Sequence, residues 1–358
     1  MKILDRYILR GLTLSWLATL LIFALITTVW DIAERVDDFY ENDLSMWFVL
    51  THYYVFLTPY FLIMLMPFFV FISAVFYTSR LADRMEIVAM FTGGMSFFRF
   101  LFPYLLWAGI IAFVLAYSYH NWHPYFAREK LRFENEHLGW AITWTDNTVL
   151  ELQPGTIMLF RTYSMDDSVG YNLVIDLFSG INLQKRTTAN QFHWKGDSTW
   201  LLKGIFTRTL TNIRHQLSNR DSMIVQLPIT PEDFDPDIEY SIEAMTTKQL
   251  RSFIKEEELR GSEKIKYYYV KLYERYAMPF TLIILTLLGV TIASRKVRGG
   301  TGLHIAIGLA IGFSYIFVSR LTTILALKTP FPAWLGVWLP NFIYLLIAAV
   351  VVIWRLRY

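Results

Sequence analysis

Asp83, Arg84 and Glu86 stand in the loop Ser79–Ser96 among Leu81, Met85, Val88 and Met90. A short helix over about 80–96 would carry an apolar face and three charges together, and such a face is stable in water only when covered. A docked protein would bury the apolar residues and set a cation against Glu86. A bilayer surface would instead take the helix lying flat among the headgroups. No reaction chemistry competes with these two readings. The chain has no G-x-x-x-x-G-K-[ST] loop, no H-E-x-x-H pair, no dinucleotide fingerprint and no G-x-S-x-G elbow. Its seven histidines are scattered, and His120 with His123 reads as interfacial polar residues rather than as a metal site. Cysteine is absent, which removes disulfides and thiolate metal sites. A catalytic residue, a cofactor, a metal and a nucleic-acid partner are therefore not expected.

The elements around this loop belong to a membrane protein. Six long stretches, 11–30, 44–79, 100–127, 276–294, 299–319 and 329–354, lack Lys, Arg, Asp and Glu. Each can cross a bilayer, which takes about 20 apolar residues. Hydrophobic residues make up 54% of the chain, more than one soluble core could hide. The fold class expected is α-helical with six transmembrane helices in a 3 + 3 arrangement and an inserted antiparallel β domain. The divisions are 1–127, with the helix near 80–96, then 128–265, then 266–358. No central carboxylate or lysine marks the spans as an ion-coupled carrier.

Sidedness follows from the short loops, because the net charge of +3 hides how the charges are sorted. Lys2, Arg6 and Arg10, then Arg80, Arg84 and Arg99, then Arg295, Lys296 and Arg298, and finally Arg355 and Arg357 fall on one side of a six-span protein. The loop after the first span carries Asp31, Glu34, Asp37, Asp38, Glu41 and Asp43 against a single Arg35. Both termini are thus expected in the cytoplasm and the inserted domain outside it. The first span reads as a retained helix rather than a cleavable signal, since no small-x-small site follows it.

The second run, 36 residues, would make a helix of roughly 54 Å, too long for the hydrocarbon core. Its aromatic first third should lie at the headgroups, with the span starting near Val55 and kinks at Pro59 and Pro67. Residues 148–228 alternate with period two. Tyr171, Leu173, Ile175 and Leu177 should share one face, Trp200, Leu202 and Phe206 another, and Met223, Val225 and Leu227 a third. Turns are expected at Gln153-Pro154-Gly155, Met165 to Ser168, Ser179-Gly180 and Lys195 to Asp197, giving a sandwich or jelly roll. Thr246 and Thr247 are N-cap candidates for a helix leading back to the membrane.

In the loop Ser79–Ser96, Glu86 is followed eight residues later by Gly94 and ten later by Ser96, as in the lipopolysaccharide export permeases of the LptF/LptG type, which this chain resembles. The stretch Leu183-Gln184-Lys185-Arg186 to Ala189, with Trp200 and Leu201–Leu210, is similar to that family's exported strands. Met245 to Leu250, Tyr269 to Pro279, Leu288-Gly289 and Trp338-Leu339-Pro340-Asn341 resemble its return to the membrane and its last span. The opening Met1 to Ile8 looks more like the LptG subunit.

The resemblance implies one half of a heterodimeric ABC transporter permease in a Gram-negative inner membrane, extracting lipopolysaccharide toward the outer membrane. A homologous permease subunit, a separate cytoplasmic ATPase dimer and periplasmic jelly-roll bridge proteins are the implied partners. Asp83, Arg84, Glu86, Gly94 and Ser96 would couple to the ATPase. The first and fifth spans would form a lateral gate, with Trp30, Asp31, Arg35, Phe313, Phe317 and Arg320 along the lipid path. Where the family often presents basic side chains at the outer end of the first span, this chain has Asp31 and the lone Arg35. Gly11, Ser15 and Thr19, and likewise Gly308 and Gly312, recur at four-residue spacing that lets helices approach closely, at the gate or within one subunit. The rival class is an ATPase-independent carrier, or a scaffold whose β domain binds other envelope proteins.

Overall fold

A computed structural model describes residues 3–138, 144–153, 155–164, 167–180, 182–210, 215–231, 238–259, 262, 264–297 and 299–357. Lys2, Pro154, Met165, Asp166 and Arg298 lie outside the described residues. Seven helices come first: α1 (Ile3–Glu41), α2 (Met46–His52), α3 (Tyr54–Met64), α4 (Met66–Asp83), α5 (Glu86–Thr92), α6 (Phe97–His120) and α7 (Trp122–His137). Six strands follow: β1 (Trp144–Gln153), β2 (Thr156–Ser164), β3 (Val169–Ser179), β4 (Asn182–Gly196), β5 (Thr199–Leu210) and β6 (His215–Gln226). The chain closes with α8 (Ile238–Ala244), α9 (Thr247–Leu259), α10 (Ile265–Ala293), α11 (Gly300–Lys328) and α12 (Ala333–Arg357).

Among the described residues five helices, α1, α6, α10, α11 and α12, are long and apolar enough to cross a membrane. The pair α2 and α3, bent by 44°, would make a sixth. The long second run is divided at Tyr53 and Leu65. Pro67 sits in the first turn of α4, where a missing N–H breaks no helical bond, so the chain restarts there. Pro59 lies inside α3.

The chain forms two compact units, one of Met1–Leu138, Glu243–Leu250 and Lys266–Tyr358, the other of Gly139–Ile242 and Arg251–Ile265. Residue 128, the border drawn from the sequence, falls within α7, which belongs to the first unit.

In the first unit α4 is the enclosed element, with Val70, Phe71, Ser73, Ala74, Thr78 and Ser79 fully buried. The Ser73 and Ser79 hydroxyls donate to the Phe69 and Phe76 carbonyls at 2.5 and 2.9 Å, which lets polar residues sit on a buried helix. The small residues work inside the chain. A Cβ at Gly11 would overlap the Tyr77 ring at 2.3 Å, and one at Gly308 would stand 3.3 Å from Val75. Gly312 likewise faces Phe68 and Phe71, so α1 packs on α4 through one glycine and α11 through two. Between α10, α11 and α12 lies a polar knot. Thr281 Oγ1 is 2.8 Å from Tyr315 Oη and donates to Asn341 Oδ1 at 2.9 Å, while Asn341 Nδ2 donates to the Ala277 carbonyl at 3.3 Å. In an apolar setting these bonds fix the helices' register, since an unpaired amide there is costly.

The second unit is built on one antiparallel sheet whose strands pair in sequence order, β1 through β6. Met158, Phe160, Tyr163, Leu173, Ala189, Phe192, Trp200, Leu202 and Ile205 form its core. Asp176 and Arg186, opposite each other in register, form a two-pronged ion pair at 2.7 Å. One face differs from the alternation read in the sequence, because Ile205 is buried whereas Phe206 is 45% exposed. Gly204 has φ 65°, and this left-handed residue shifts the phase of the strand. Asn172, with φ 55°, acts similarly in β3, where Leu173 is buried while Tyr171 is exposed, and a register shift between Leu177 and Phe178 accompanies the exposure of Leu177. Jelly rolls are a more specific class, two sheets with Greek-key connections; the described strands make an antiparallel meander.

Candidate functional site

The continuous helix expected over 80–96 is interrupted. Met85 takes a left-handed conformation, φ 60°, so α4 stops at Asp83 and α5 begins at Glu86. At its other end α5 closes in a Schellman motif, with Met95 N–H donating to the Met90 carbonyl at 3.1 Å and Gly94 N–H to Phe91 at 3.0 Å. Gly94 sits at φ 88°, where a side chain would be strained. Ser96 then caps α6, its hydroxyl accepting from Arg99 N–H at 3.3 Å. Two of the sequence-predicted residues, Gly94 and Ser96, therefore shape the loop.

The charged residues tie this loop to other helices. Tyr7 of α1 donates to Glu86 Oε2 at 2.7 Å, and Arg84 Nη1 stands 3.9 Å from Glu86 Oε1. Asp83 accepts from the Thr301 hydroxyl at the start of α11. Asp5, buried, is paired with Arg99 at 2.7 Å. Ile87 and Leu81 turn inward, while Met85 and Val88 are about half exposed. Between the start of α1 and the loop opens a cavity of about 1030 Å³, bordered by Leu4 and Tyr7 of α1 and by Glu86, Met90, Gly94 and Arg99. Sequence reading missed Asp5 and Tyr7, because nothing local announces that residues so distant in the chain meet.

At the far end of α1 the predicted lipid-path residues separate into two kinds. Trp30, Phe313 and Phe317 are 65–72% exposed, and Arg320 is exposed. Asp31 and Arg35 are instead locked in a network. Arg35 lies 3.1 Å from Asp31 and 3.0 Å from Glu134, and also donates to Tyr53. Tyr53 donates to Glu134 at 2.8 Å, Tyr54 to Asp31 at 2.9 Å, and Lys130 to Glu134 at 3.0 Å. The arginine's charge is met by two nearly buried carboxylates.

A second network lies near α7 and α8. Glu243 accepts from Tyr60 and, at 2.9 Å, from Lys271. Burial alone would raise the Glu243 carboxyl, yet Lys271 and the Tyr60 hydrogen bond hold it below the ordinary value. His123 stacks on Tyr60 with ring centres 4.8 Å apart, and burial pushes its imidazole down to about 4. His120 turns away, onto the Ala116 carbonyl and the Tyr276 ring. Among the described residues no group of three or more potential ligands could hold a metal. Thr246 is the N-cap of α9, with Gln249 reaching back to its N–H at 2.9 Å as a capping box.

The structure thus presents an apolar, partly open loop at one end of α1 and exposed aromatic side chains at the other. No curated protein matches the chain. The family described as lipopolysaccharide export system permease LptF/LptG matches residues 6–357, nearly the whole chain, and the protein belongs to that family.

Proposed function

We propose that the chain is the permease subunit of an ABC transporter that extracts lipopolysaccharide from the inner membrane and passes it to a periplasmic bridge. Three spans lie on each side of the inserted domain, both termini and α5 face the cytoplasm, and the sheet is part of a periplasmic jelly roll. The partner in the membrane is a homologous permease subunit, and the opening residues favour the LptG type for this one. Hydrolysis takes place in a separate cytoplasmic ATPase dimer that docks at α5. The observation carrying this reading is the half-exposed Met85 and Val88 on a loop whose partly exposed Glu86 borders an open cavity. A partner helix seated there would bury the apolar pair and offer a cation to Glu86.

Lipid would travel along the outer ends of α1 and α11. Trp30, Phe313 and Phe317 supply apolar contact, and Arg320 is the cation placed to meet a phosphate. Asp31 and Arg35 keep the rim in shape through Glu134 rather than binding phosphate themselves. A native pulldown from the host membrane tests the whole reading. It should recover a soluble ATPase and a second permease, and the recovered complex should hydrolyse ATP faster with lipopolysaccharide. A chain that purifies alone and shows proton-dependent transport would overturn it in favour of a carrier.

A further inference from the structure

Beside α5, the ends of α10 and α12 bring arginines together. Arg295 follows the last turn of α10, and Arg355 and Arg357 close α12. A cavity of about 510 Å³ opens there, lined by Arg295, Val350, Ile353, Trp354 and Arg357. The Arg295 guanidinium lies over the Trp354 ring, 5.2 Å from its centre. Arg355 donates to Ser294 Oγ at 3.4 Å and lies over Phe91 and Phe97 at 5.6 and 5.7 Å, which sets the cluster against α5 and the start of α6.

Two neighbouring arginines of this end are answered by acids, Arg99 by Asp5 at 2.7 Å and Arg84 by Glu86 at 3.9 Å. Arg295, Arg355 and Arg357 have no carboxylate in ion-pair range among the described residues. Like charges gathered without an acid repel one another, and an anion between them reverses the sign. Depth in the membrane chooses the anion. Arg295 is the first residue after the charge-free run 276–294, and Trp354 is the last of 329–354. The arginines therefore stand where hydrocarbon gives way to water. Val350 and Ile353, a turn deeper on α12, are 65% and 52% exposed. Headgroup chemistry and acyl chemistry are stacked in the order a phospholipid presents them.

We propose that this cleft binds the phosphate headgroup of an anionic phospholipid. Arg295 and Arg357 hold the phosphate oxygens, Trp354 packs on the glycerol, and Val350 and Ile353 line an acyl chain. Arg355, already engaged with Ser294 and the two phenylalanines, joins the lipid site to α5. The inference rests only on α10 and α12 crossing a bilayer, and stands whichever protein drives transport.

The test uses the full-length chain in neutral detergent, titrated with phosphatidylglycerol, phosphatidylcholine or inorganic phosphate. Bound lipid is read by native mass spectrometry. Phosphatidylglycerol should be retained in preference to phosphatidylcholine. Arg295→Gln with Arg357→Gln should weaken its binding about tenfold, the scale of losing one to two charge-assisted contacts. The Arg295→Lys, Arg357→Lys pair, which keeps the charge, should retain most of it. Equal retention of the two lipids by the unaltered protein overturns the proposal without any variant, and so does a Gln pair that binds phosphatidylglycerol normally. Inorganic phosphate displacing phosphatidylglycerol at equal concentration would make the cleft a free-anion site and overturns the lipid assignment. Loss of a copurifying protein, with lipid binding intact, would make it a protein dock and overturns it too.

Discussion

The Tyr7 hydroxyl donates to Glu86 Oε2 at 2.7 Å across 79 positions of sequence, so the start of α1 is fastened to the short helix α5. Asp5, two residues before Tyr7, is paired with Arg99 at 2.7 Å, which fastens the same end of α1 to α6. Under the proposed function, a push on α5 reaches α1 directly. Tyr7→Phe should keep ATPase copurification while lowering lipopolysaccharide release per ATP several-fold, and Glu86→Ala should lower both. Copurification lost equally in the two variants would assign Tyr7 to docking instead.

Gly94 should tolerate no side chain well. At φ 88° with open space around its Cα, Gly94→Ala meets no clash but must hold a left-handed backbone, at a cost of about 1 kcal/mol. The expected result is a modest drop in melting temperature with a larger loss of ATPase association, because the turn sets the position of α5. Full association at unchanged stability would show that the turn is not needed.

Arg35→Ala should destabilise the first unit by about 3 kcal/mol, as it leaves Asp31 and Glu134 facing each other without their shared cation. The same variant with Asp31→Asn should recover part of the loss. Thermal unfolding in detergent measures both. If Arg35 served only as a lipid contact, Arg35→Ala would leave the melting temperature alone and change lipid crosslinking.

His123 gives an acid limb to stability. Its folded value, about 4, lies below the ordinary 6.5, so the unfolded chain takes up a proton first as pH falls. Stability is then complete above 6.5 and is lost between 6.5 and about 4, at up to about 1.4 kcal/mol per pH unit. Tyr60, Tyr119, Glu243, Lys271 and Arg275 face this imidazole, and Lys271 with the Tyr60 hydrogen bond holds the Glu243 carboxyl below its ordinary value. His123→Phe should flatten the melting temperature between pH 6.5 and 5. A slope unchanged by the substitution would place the acid response in another group.

Photocrosslinking should separate the exposed aromatics from the rim network. Reactive residues at positions 30, 313 and 317 should form lipopolysaccharide adducts that depend on ATP hydrolysis, whereas position 35 should not. Adducts found instead on α6 or α12 would move the lipid path to another face.

Much of the helical framework was legible in the sequence because a bilayer asks for one thing, about 20 uncharged residues, and a charge-free run is a local property. The cap at Thr246 and the break before Pro67 were legible for the same reason. Each is set by bonds within a turn or two of itself. The strand faces were read correctly only until a left-handed residue changed the phase, as at Gly204. Packing alone decided the rest. Gly308 and Gly312 could have faced another chain, and the structure turns them onto α4. Arg35 looked like a lone cation among acids, yet Glu134, 99 positions away, joins Asp31 in holding it. Tyr7 gave no local sign of reaching Glu86. Such pairings depend on which helix lies beside which, and burying polar groups in an apolar surround makes each worth keeping only when its partner is in place.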